Sequence, residues 1–476
     1  MAPHGPDPQQ TLSLRHAIAI IVGIVIGAGI FKAPSLVAQF TGSPGWMFAA
    51  WAGGALVSLI GALCYAELAA AWPHAGGDYH FLHRAYGRRV AFLFAWARFS
   101  VITTGSIALL AFVFGDYMSQ ILRLGPFSEA LWAALAVITL TWVNLRGIQT
   151  GARTQAWLTL AEVLGLVLVV AAGLWLFVGG DGAAASAATA SGAEAAAAAG
   201  ASGGASDSAS GASGGAPSLA AFGLAMVFVL LTYGGWNEAA YLSAELKDSR
   251  RNMLRALVGS IAIIAALYLL VNWAYLHGLG IRGMAESKAV AADLLAVAFG
   301  RAGETLISVM VAVAALTSIN ATMIVGARTN FAVGRDWPAL AALGHWHPGR
   351  GVPVNALLAQ SVFALALVLL GSGTRGGFQT MVDYTAPVFW TFFLLCTVAL
   401  IVLRVREPHT ERPFRVPLYP VLPLAFAAVC AYMLWSSLAY VQVGALVGVG
   451  VLVLGALLLW AIDALGRRGA RASHNA

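Results

Sequence analysis

Charged residues are scarce in this 476-residue sequence. Only 10% of its residues are Asp, Glu, Lys or Arg, 60% are hydrophobic, and the mean hydropathy is +0.80. Soluble domains carry about a quarter charged residues, because their surfaces face water. The composition therefore excludes an ordinary soluble protein and predicts an all-α integral membrane protein.

Cysteine is also scarce, and the motifs of enzymes and metal proteins are missing. The three cysteines, Cys64, Cys396 and Cys430, lie in apolar stretches, and none pairs with histidine at metal-binding spacing. The apolar stretches contain no paired acids, metal triad, nucleophile elbow or phosphate-binding loop. We therefore expect no disulfide, no metal, no cofactor and no enzymatic activity.

Long apolar stretches, in contrast, are abundant. A helix that crosses a bilayer needs about 20 apolar residues. The sequence predicts twelve such spans, at 16–40, 45–72, 89–121, 127–145, 153–179, 218–246, 254–278, 302–331, 353–371, 377–404, 416–439 and 441–463. The short amphipathic segment from Met284 to Phe299 is predicted to lie on the protein at the outer side instead of crossing.

Basic residues concentrate in alternate loops between these spans. The rich loops contain Arg84, Arg88, Arg89, Arg146, Arg153, Lys247, Arg250, Arg251, Arg255, Arg335, Arg350, Arg404, Arg406, Arg412, Arg415, Arg467, Arg468 and Arg471. The other loops contain chiefly Arg123, Arg282, Lys288 and Arg375. This positive-inside pattern predicts two cytoplasmic termini and residence in the cell's inner (plasma) membrane. It also accounts for the net charge of +7, so we expect no nucleic-acid partner.

One segment departs from the apolar pattern. From Asp181 to Pro217 the chain is almost entirely Ala, Gly and Ser, a composition that predicts a disordered outward loop. The alternative is a tether or a loop that binds a partner. The predicted organisation is a tail (1–15), a first five-span block (16–179), this loop (180–217), a second five-span block (218–404), two further spans (405–463) and a second tail (464–476).

Glycine clusters interrupt the first and the sixth span. The first span contains Ile26-Gly27-Ala28-Gly29-Ile30-Phe31, and the sixth contains Tyr233-Gly234-Gly235-Trp236-Asn237. Glycine inside a helix costs about 1 kcal/mol relative to alanine, so these clusters predict local unwinding. One break at the start of each five-span block is typical of inverted-repeat transporters. The alternative is close helix packing through small residues.

Five motifs in this order resemble the amino acid–polyamine–organocation permeases, and especially their L-type amino-acid transporter branch. They are Gly27-Ala-Gly-Ile-Phe31; Tyr65-Ala-Glu-Leu68 with Pro73, Gly76-Gly77 and Tyr79; Tyr233-Gly-Gly-Trp-Asn237 with Glu245 and Arg251-Asn252; Gly334-Arg335-Asp336 with Pro338; and Glu411-Arg-Pro-Phe414. The resemblance implies a LeuT-like fold of twelve helices, in two inverted five-helix repeats plus two more, with discontinuous helices 1 and 6. It also implies alternating access to a central amino-acid site.

The animal relatives of this branch attach a heavy chain through a cysteine between the third and fourth spans. The loop from Arg123 to Phe127 has no cysteine. We therefore expect no disulfide-linked heavy chain. The expected partners are a small amino-acid substrate, the lipid bilayer and, in one version of the mechanism, protons.

An amino-acid zwitterion needs donors for its carboxylate close to acceptors for its ammonium. The freed N–H groups of Ala28 and Gly29 are predicted to bind the carboxylate, because N–H groups at a helix start favour an anion. The carbonyls of Val25 and Leu231, with Gly234 nearby, are predicted to bind the α-amino group. The resemblance implies the same positions.

The predicted substrate site comprises Val25, Gly27, Ala28, Gly29, Ile30, Leu231, Tyr233, Gly234, Gly235, Trp236, Asn237 and Glu238. Many relatives have a gating aromatic residue where this chain has Leu231. Trp236 then either covers the substrate or packs against lipid. Glu238 either contacts the substrate or faces a water-filled vestibule.

Ionisable residues inside a membrane usually mark function. Glu162 lies near the middle of the fifth span, where many relatives have lysine, and we hypothesise that it couples transport to protons. The alternative is a static carboxylate neutralised by Arg98. A second hypothesis is a cytoplasmic gate of salt bridges among Glu67, Glu245 and Arg251.

The sequence thus predicts a secondary active transporter of neutral amino acids, working by exchange or by proton-linked uptake. A transporter of cationic amino acids or polyamines is the alternative that Glu162 and Glu238 favour. A non-transporting nutrient receptor, which keeps the fold without alternating access, is a further alternative.

Overall fold

The computed structural model describes residues 13–74, 77–146, 149–178, 216–242, 246–347, 352–374, 376–439 and 443–474. Most of the predicted N-terminal tail, and the predicted loop at 180–217 except its last two residues, lie outside this part of the chain. The described residues are almost entirely helical, and an isolated bridge of extended chain joins His347 to Val352.

The first half of the chain forms eight α-helices. They are α1 (Leu14–Val25), α2 (Ala33–Thr41), α3 (Pro44–Ala71), α4 (Gly77–Tyr86), α5 (Arg88–Ala97), α6 (Thr104–Ile121), α7 (Ser128–Leu145) and α8 (Gln149–Val178). A single 3-10 turn, Ala28–Phe31, separates α1 from α2, and a π-helical segment, Arg98–Thr103, joins α5 to α6.

Seven α-helices follow in the second half. They are α9 (Leu219–Thr232), α10 (Ser249–Glu286), α11 (Val290–Asp336), α12 (Val354–Ser372), α13 (Gly377–Arg406), α14 (Val421–Ala439) and α15 (Val443–His474). A 3-10 helix, Trp236–Leu242, follows α9, and another, Pro338–Gly344, follows α11.

Eight helical stretches in the described residues are long and apolar enough to cross a membrane. They are Pro44–Ala71, Arg88–Ile121, Ser128–Leu145, Arg251–Glu286, Val290–Asp336, Val354–Ser372, Gly377–Arg406 and Val421–Ala439. Shorter apolar helices occur at Leu164–Val178, Leu219–Thr232 and Leu446–Ala461. The structure therefore agrees with an all-helical, multi-spanning membrane protein, whereas the count of twelve crossings stays a prediction.

Local sequence sets several helix boundaries. The Ser43 hydroxyl accepts a hydrogen bond from the Trp46 N–H at 3.3 Å and caps α3, whose first residue is Pro44. Serine at the cap and proline at the first position are both typical helix starts, because they suit N–H groups that have no partner within the helix. Gly42 ends α2 with φ of 62°, a left-handed conformation that favours glycine.

The segment from Met284 to Phe299 lies between two bends. Gly280 in α10 and Gly300 in α11 both have positive φ, 67° and 64°, and each turns the helix that contains it. Seven of the sixteen residues from Met284 to Phe299 are buried against the bundle, including Met284 and Leu294 at 0% exposure. This placement agrees with the prediction of a helical segment that lies on the protein.

The interrupted helices lie at the centre of the bundle. The turn Ala28–Phe31 contacts α6, α9 and α11, while α1 packs on α10 and α2 packs on α9. The longer helices form the surrounding frame, with α6 and α8 on α11, α3 on α10, and α14 and α15 on α13. The break in the first span is therefore enclosed by helices from both halves of the chain.

Two ends of the bundle are distinguished by charge. One end, which we call the arginine-rich end, contains Arg84, Arg404 and Arg412 together with the last residues of α3 and α13. The other end, which we call the opposite end, contains α2, the last turn of α6 and the segment between α10 and α11.

Candidate functional site

The first interruption opens the chain between α1 and α2. Helix α1 ends at Val25, and Gly27 is extended, with φ of −115° and ψ of 179°. The turn from Ala28 to Phe31 follows, and α2 begins at Ala33. The break therefore falls within the glycine-containing stretch and leaves backbone polar groups unpaired in an apolar surrounding.

The N–H groups of Ala28 and Gly29 are the first two donors of the turn. The first N–H groups of a helix have no acceptor within it. The next N–H, that of Ile30, donates back to the Gly27 carbonyl at 3.4 Å. Within the described residues, the N–H groups of Ala28 and Gly29 donate no hydrogen bond. Both residues face the interior of the bundle, with Ala28 fully buried.

The second interruption follows α9. Helix α9 ends at Thr232, and Gly235 has φ of 104°, which strongly favours glycine. A Cβ at Gly234 would lie 2.8 Å from the Leu231 carbonyl oxygen, so only glycine fits this close approach without a shift. The Gly234 N–H itself donates to that carbonyl at 3.1 Å. Glycine is therefore favoured at position 235 by the positive φ and at position 234 by the close approach to the Leu231 carbonyl.

The two interruptions lie against each other. The hydroxyl of Tyr268, on α10, is 2.9 Å from the Val25 carbonyl oxygen and 3.2 Å from that of Thr232. A Cβ placed on Gly29 would be 3.6 Å from the Thr232 side chain. One tyrosine hydroxyl therefore links the end of α1 to the end of α9. The sequence analysis missed Tyr268, which carries no motif and appears only as a tyrosine inside an apolar span.

Tyr233 and Trp236 belong to buried aromatic groups. The Tyr233 ring is 5.0 Å from Tyr268 and 5.9 Å from Trp51, and its side chain is 1% exposed. Trp236 is 4% exposed and lies 5.3 Å from the Tyr65 ring and 5.6 Å from the Phe393 ring. Trp236 therefore packs inside the bundle, not against lipid. Asn237 beside it is also buried, at 5% exposure.

A small cavity lies beside the second interruption. Its lining combines Gly234 and Trp236 with side chains of α3, α9, α13 and α14, namely Val57, Ser58, Leu230, Phe389, Trp390, Phe393 and Phe426. The lining is apolar and aromatic except for two buried polar atoms. Among the described residues neither the Ser58 Oγ nor the Trp390 Nε1 has a hydrogen-bond partner. The cavity thus suits an apolar group next to the exposed backbone of Gly234.

Polar residues of α11 flank the first interruption. A Cβ on Gly27 would lie 4.0 Å from the Ser318 Oγ. The Thr317 hydroxyl donates to the Val313 carbonyl of its own helix at 2.9 Å, and the Asn320 Oδ1 accepts from the Asn144 Nδ2 at 2.8 Å. The Thr317 hydroxyl and the Asn320 amide oxygen are therefore occupied by a local and an interhelical bond, respectively. In the described part of the chain, no group of three or more His, Cys, Asp or Glu residues fits a metal ion.

Glu67 lies at the arginine-rich end and is fully buried. Its carboxylate accepts from the Arg404 Nε at 2.7 Å and from the Val416 N–H at 2.7 Å, and the Arg412 Nε is 3.6 Å away. The predicted gate paired Glu67 with Glu245 and Arg251. Arg251 is exposed, and the described ionic partners of Glu67 are Arg404 and Arg412, which come from α13 and the loop that follows it.

Some predicted residues fall outside what the structure describes. Glu245 lies in an undescribed segment, and the side chains of Glu162 and Glu238 are not described, although both residues lie within helices. The proposed coupling role of Glu162, the contact of Glu238 with substrate and the gate role of Glu245 therefore stay predictions. Ile30 is described and is fully buried in the 3-10 turn.

A second ionic contact was missed by the sequence analysis. The Lys32 Nζ is 2.7 Å from the Asp116 Oδ2, at the junction between the first interruption and α2. Nothing in the sequence analysis paired Lys32 with Asp116. Only the fold brings these two positions together.

The fold and the two facing interruptions define a class of protein, a helical membrane protein whose first and sixth predicted spans are interrupted at facing positions. The family follows from comparison with known sequences. The model of the amino acid permease family matches residues 12–462, so the chain belongs to that family. It is accordingly an amino-acid transporter, as its motifs predicted.

Named relatives span most of this chain. It is 28% identical over 463 residues to the human large neutral amino acids transporter small subunit 2, covering 94% of this chain and 80% of that protein. It is 26% identical over 436 residues to the serine/threonine exchanger SteT of Bacillus subtilis, covering 90% of this chain and 91% of that protein. It is also 26% identical over 438 residues to the human b(0,+)-type amino acid transporter 1, covering 90% and 83%.

The Glu67 cluster gives a prediction about stability. Glu67→Gln leaves Arg404 and Arg412 without their shared carboxylate, and removing one partner of a buried ion pair costs about 3–5 kcal/mol. We expect a clear fall in the thermal unfolding midpoint of the detergent-purified protein, measured by tryptophan fluorescence.

Glu407→Gln is the matched control. Glu407 pairs with Arg84 at 2.7 Å, with side chains 26% and 39% exposed, and the hydrogen bond from Arg84 holds the pKa of Glu407 below its usual value. Exposed pairs contribute about 0–1 kcal/mol, so this variant should unfold near the wild-type temperature. Equal midpoints for the two variants would contradict the structural role of Glu67.

Proposed function

We propose that this permease carries neutral amino acids by alternating access, with exchange as its basic mode. The observation that supports this best is the juxtaposition of unpaired N–H groups at Ala28 and Gly29 with the carbonyls beside the second interruption. Such a pair of half-helix ends is suited to a zwitterion and needs no charged side chain.

The substrate carboxylate binds the N–H groups of Ala28 and Gly29, where the start of a helical turn favours negative charge. The α-amino group binds the carbonyls of Val25 and Leu231 and approaches the chain at Gly234. A carbonyl oxygen has two lone pairs, so Val25 retains one for the ammonium besides the bond from Tyr268. Gly27, Ile30, Tyr233, Gly235 and Asn237 form the wall around these groups.

The side chain of the substrate occupies the cavity beside Gly234. Its walls are Trp236, Phe393, Phe426 and other apolar residues, so an apolar side chain gains contact there and a charged one does not. Trp236 is part of this wall, which supports its predicted role in covering the substrate. The names of two relatives, a large neutral amino acids transporter and a serine/threonine exchanger, agree with a neutral substrate and with exchange.

The proposed topology follows the LeuT-like arrangement. Twelve crossings form two inverted five-helix repeats, 16–179 and 218–404, followed by two helices, and the interrupted helices occupy corresponding places. The arginine-rich end faces the cytoplasm of the cell's inner membrane, because basic residues favour that side. We place both termini there as well.

The transporter works without a disulfide-linked heavy chain. One relative is named a small subunit, so that protein has a larger partner. In this chain Cys64, Cys396 and Cys430 are all free and buried, which leaves no surface thiol for a bond to a partner.

The function is tested by uptake of labelled amino acids into proteoliposomes. We expect neutral amino acids to enter several times faster when the vesicles contain unlabelled substrate, because exchange requires a loaded return step. Labelled cationic amino acids and a polyamine serve as the comparison. Preferred uptake of those cations would favour the alternative that Glu238 suggests, and no uptake of any compound by folded protein would favour a receptor.

Ser58→Leu tests the side-chain cavity. The added bulk fills space beside Trp390, and overpacking costs about 1–3 kcal/mol, so exchange of leucine and phenylalanine should fall about tenfold relative to alanine and serine. Ala52→Leu is the control, since residue 52 is exposed on the same helix. A uniform loss for all amino acids in Ser58→Leu would show that the cavity does not select side chains.

Glu162→Gln tests proton coupling. If Glu162 carries the proton, an imposed pH gradient will no longer drive uptake in this variant, whereas exchange in the absence of a gradient will persist. Glu286→Gln, at an exposed position, should keep the wild-type response to the gradient. An unchanged gradient response in Glu162→Gln would leave only the static role opposite Arg98.

A further inference from the structure

The Lys32–Asp116 pair connects three elements at the opposite end of the bundle. The Lys32 Nζ is 2.7 Å from the Asp116 Oδ2 of α6 and donates to the Lys288 carbonyl at 2.6 Å. Lys288 lies in the segment between α10 and α11. Lys32 itself is the residue between the 3-10 turn of the first interruption and α2. The Lys32 ammonium therefore links the start of α2 to α6 and to the segment between α10 and α11.

A second bond strengthens this contact. The Tyr117 hydroxyl donates to the Phe31 carbonyl at 2.7 Å. Consecutive residues of α6, Asp116 and Tyr117, thus hold consecutive residues of the first span, Lys32 and Phe31. Phe31 is the last residue of the turn that is proposed to bind the substrate carboxylate, and Lys32 follows it directly.

The pair is shielded from water. The side chains of Lys32 and Asp116 are 12% and 9% exposed, respectively. Other ionisable groups surround it: Asp293, which accepts a hydrogen bond from Ser287, and Glu129, whose carboxylate is 3.4 Å from the Lys288 ammonium at the rim. The rim pair is exposed, at 69% and 39%, so only the Lys32–Asp116 pair is enclosed.

Because the Lys32–Asp116 pair is shielded from water, it has two distinct states. Separated charges in an apolar surrounding are very unfavourable, so the two groups are either in contact or both hydrated. Hydration requires water to enter between α2 and α6. The contact and an open water path at this end of the bundle are therefore mutually exclusive.

We propose that the Lys32–Asp116 pair is an ionic latch that closes the substrate path at the opposite end of the bundle. It stabilises the conformation in which α2 lies against α6, and it opens when α2 moves away. The proposal rests on the alternating access proposed above, since one end must close while the other opens. The latch sets how often the path is open at this end, and Lys32 acts as a positioning residue, not as a ligand of the substrate.

The latch is tested by measuring the distance between α2 and the residues that follow α6. Spin labels are placed at Gln39 on α2 and at Leu124 after α6, both exposed, and distances are measured by double electron–electron resonance. The three native cysteines are buried and do not compete for the label. We expect Lys32→Met and Asp116→Asn each to raise the population of longer distances at least about threefold, because the closed state loses its ionic contact.

Two controls distinguish loss of the Lys32–Asp116 contact from a general destabilisation of the fold. Lys288→Met removes the rim charge but keeps the carbonyl that Lys32 binds, so its distances should match the wild type. The exchanged pair, Lys32→Asp with Asp116→Lys, should return the distribution towards the wild type. Where a single variant fails to fold, Lys32→Met with Asp116→Leu leaves no unpaired charge and should again lengthen the distances.

Unchanged distances in Lys32→Met, in Asp116→Asn and in the apolar double variant would overturn the latch. A failure of the exchanged pair to shorten the distances would also overturn it. The readout does not depend on transport. A wild-type protein that moves no amino acid but shows the expected distances would contradict the proposed function and leave the latch intact.

Discussion

An opened helix inside an apolar bundle must have its backbone groups satisfied by other means, and this constraint organises the centre of the molecule. A bilayer offers no water to unpaired N–H and C=O groups, and each one costs several kcal/mol. Here two tyrosine hydroxyls bind the freed carbonyls. Tyr268 lies within hydrogen-bond distance of the Val25 and Thr232 carbonyls, and Tyr117 donates to the Phe31 carbonyl. The freed N–H groups of Ala28 and Gly29 have no acceptor among the described residues, and in the proposed site they bind the substrate carboxylate.

This asymmetry explains why the site needs so little side-chain chemistry. In the proposed site, carbonyls and N–H groups supply both halves of zwitterion recognition, and the side chains around them, such as Trp236 and Phe393, shape the apolar cavity. A charged side chain in the centre would have to be desolvated in every turnover. The ion pairs of the described residues lie instead towards the two ends, with Glu67 among arginines at one and Lys32 with Asp116 at the other.

The glycine patterns at Gly27–Gly29 and Gly234–Gly235 predicted both interruptions, because a backbone that must unwind or approach another closely leaves a local signature in the sequence. Partnerships between distant residues leave no such signature. Nothing in the sequence joins Tyr268 to Val25, 243 residues away, or Glu67 to Arg404, 337 residues away. Glu67 was predicted to form a gate with Glu245 and Arg251, whereas the fold brings Arg404 of α13 and Arg412 of the following loop to it. The sequence left Trp236 either over the substrate or against lipid, and tertiary packing buries it inside the bundle.

The central claim is that backbone groups at the two interruptions bind the carboxylate and the ammonium of one substrate. The most direct measurement is exchange in proteoliposomes that are loaded with a neutral amino acid, with its decarboxylated amine or with its deaminated acid. The account predicts that only the intact amino acid stimulates uptake of labelled substrate, because either analogue leaves one set of buried backbone groups unpaired. Stimulation by the amine or the acid at a rate near that of the amino acid would contradict it.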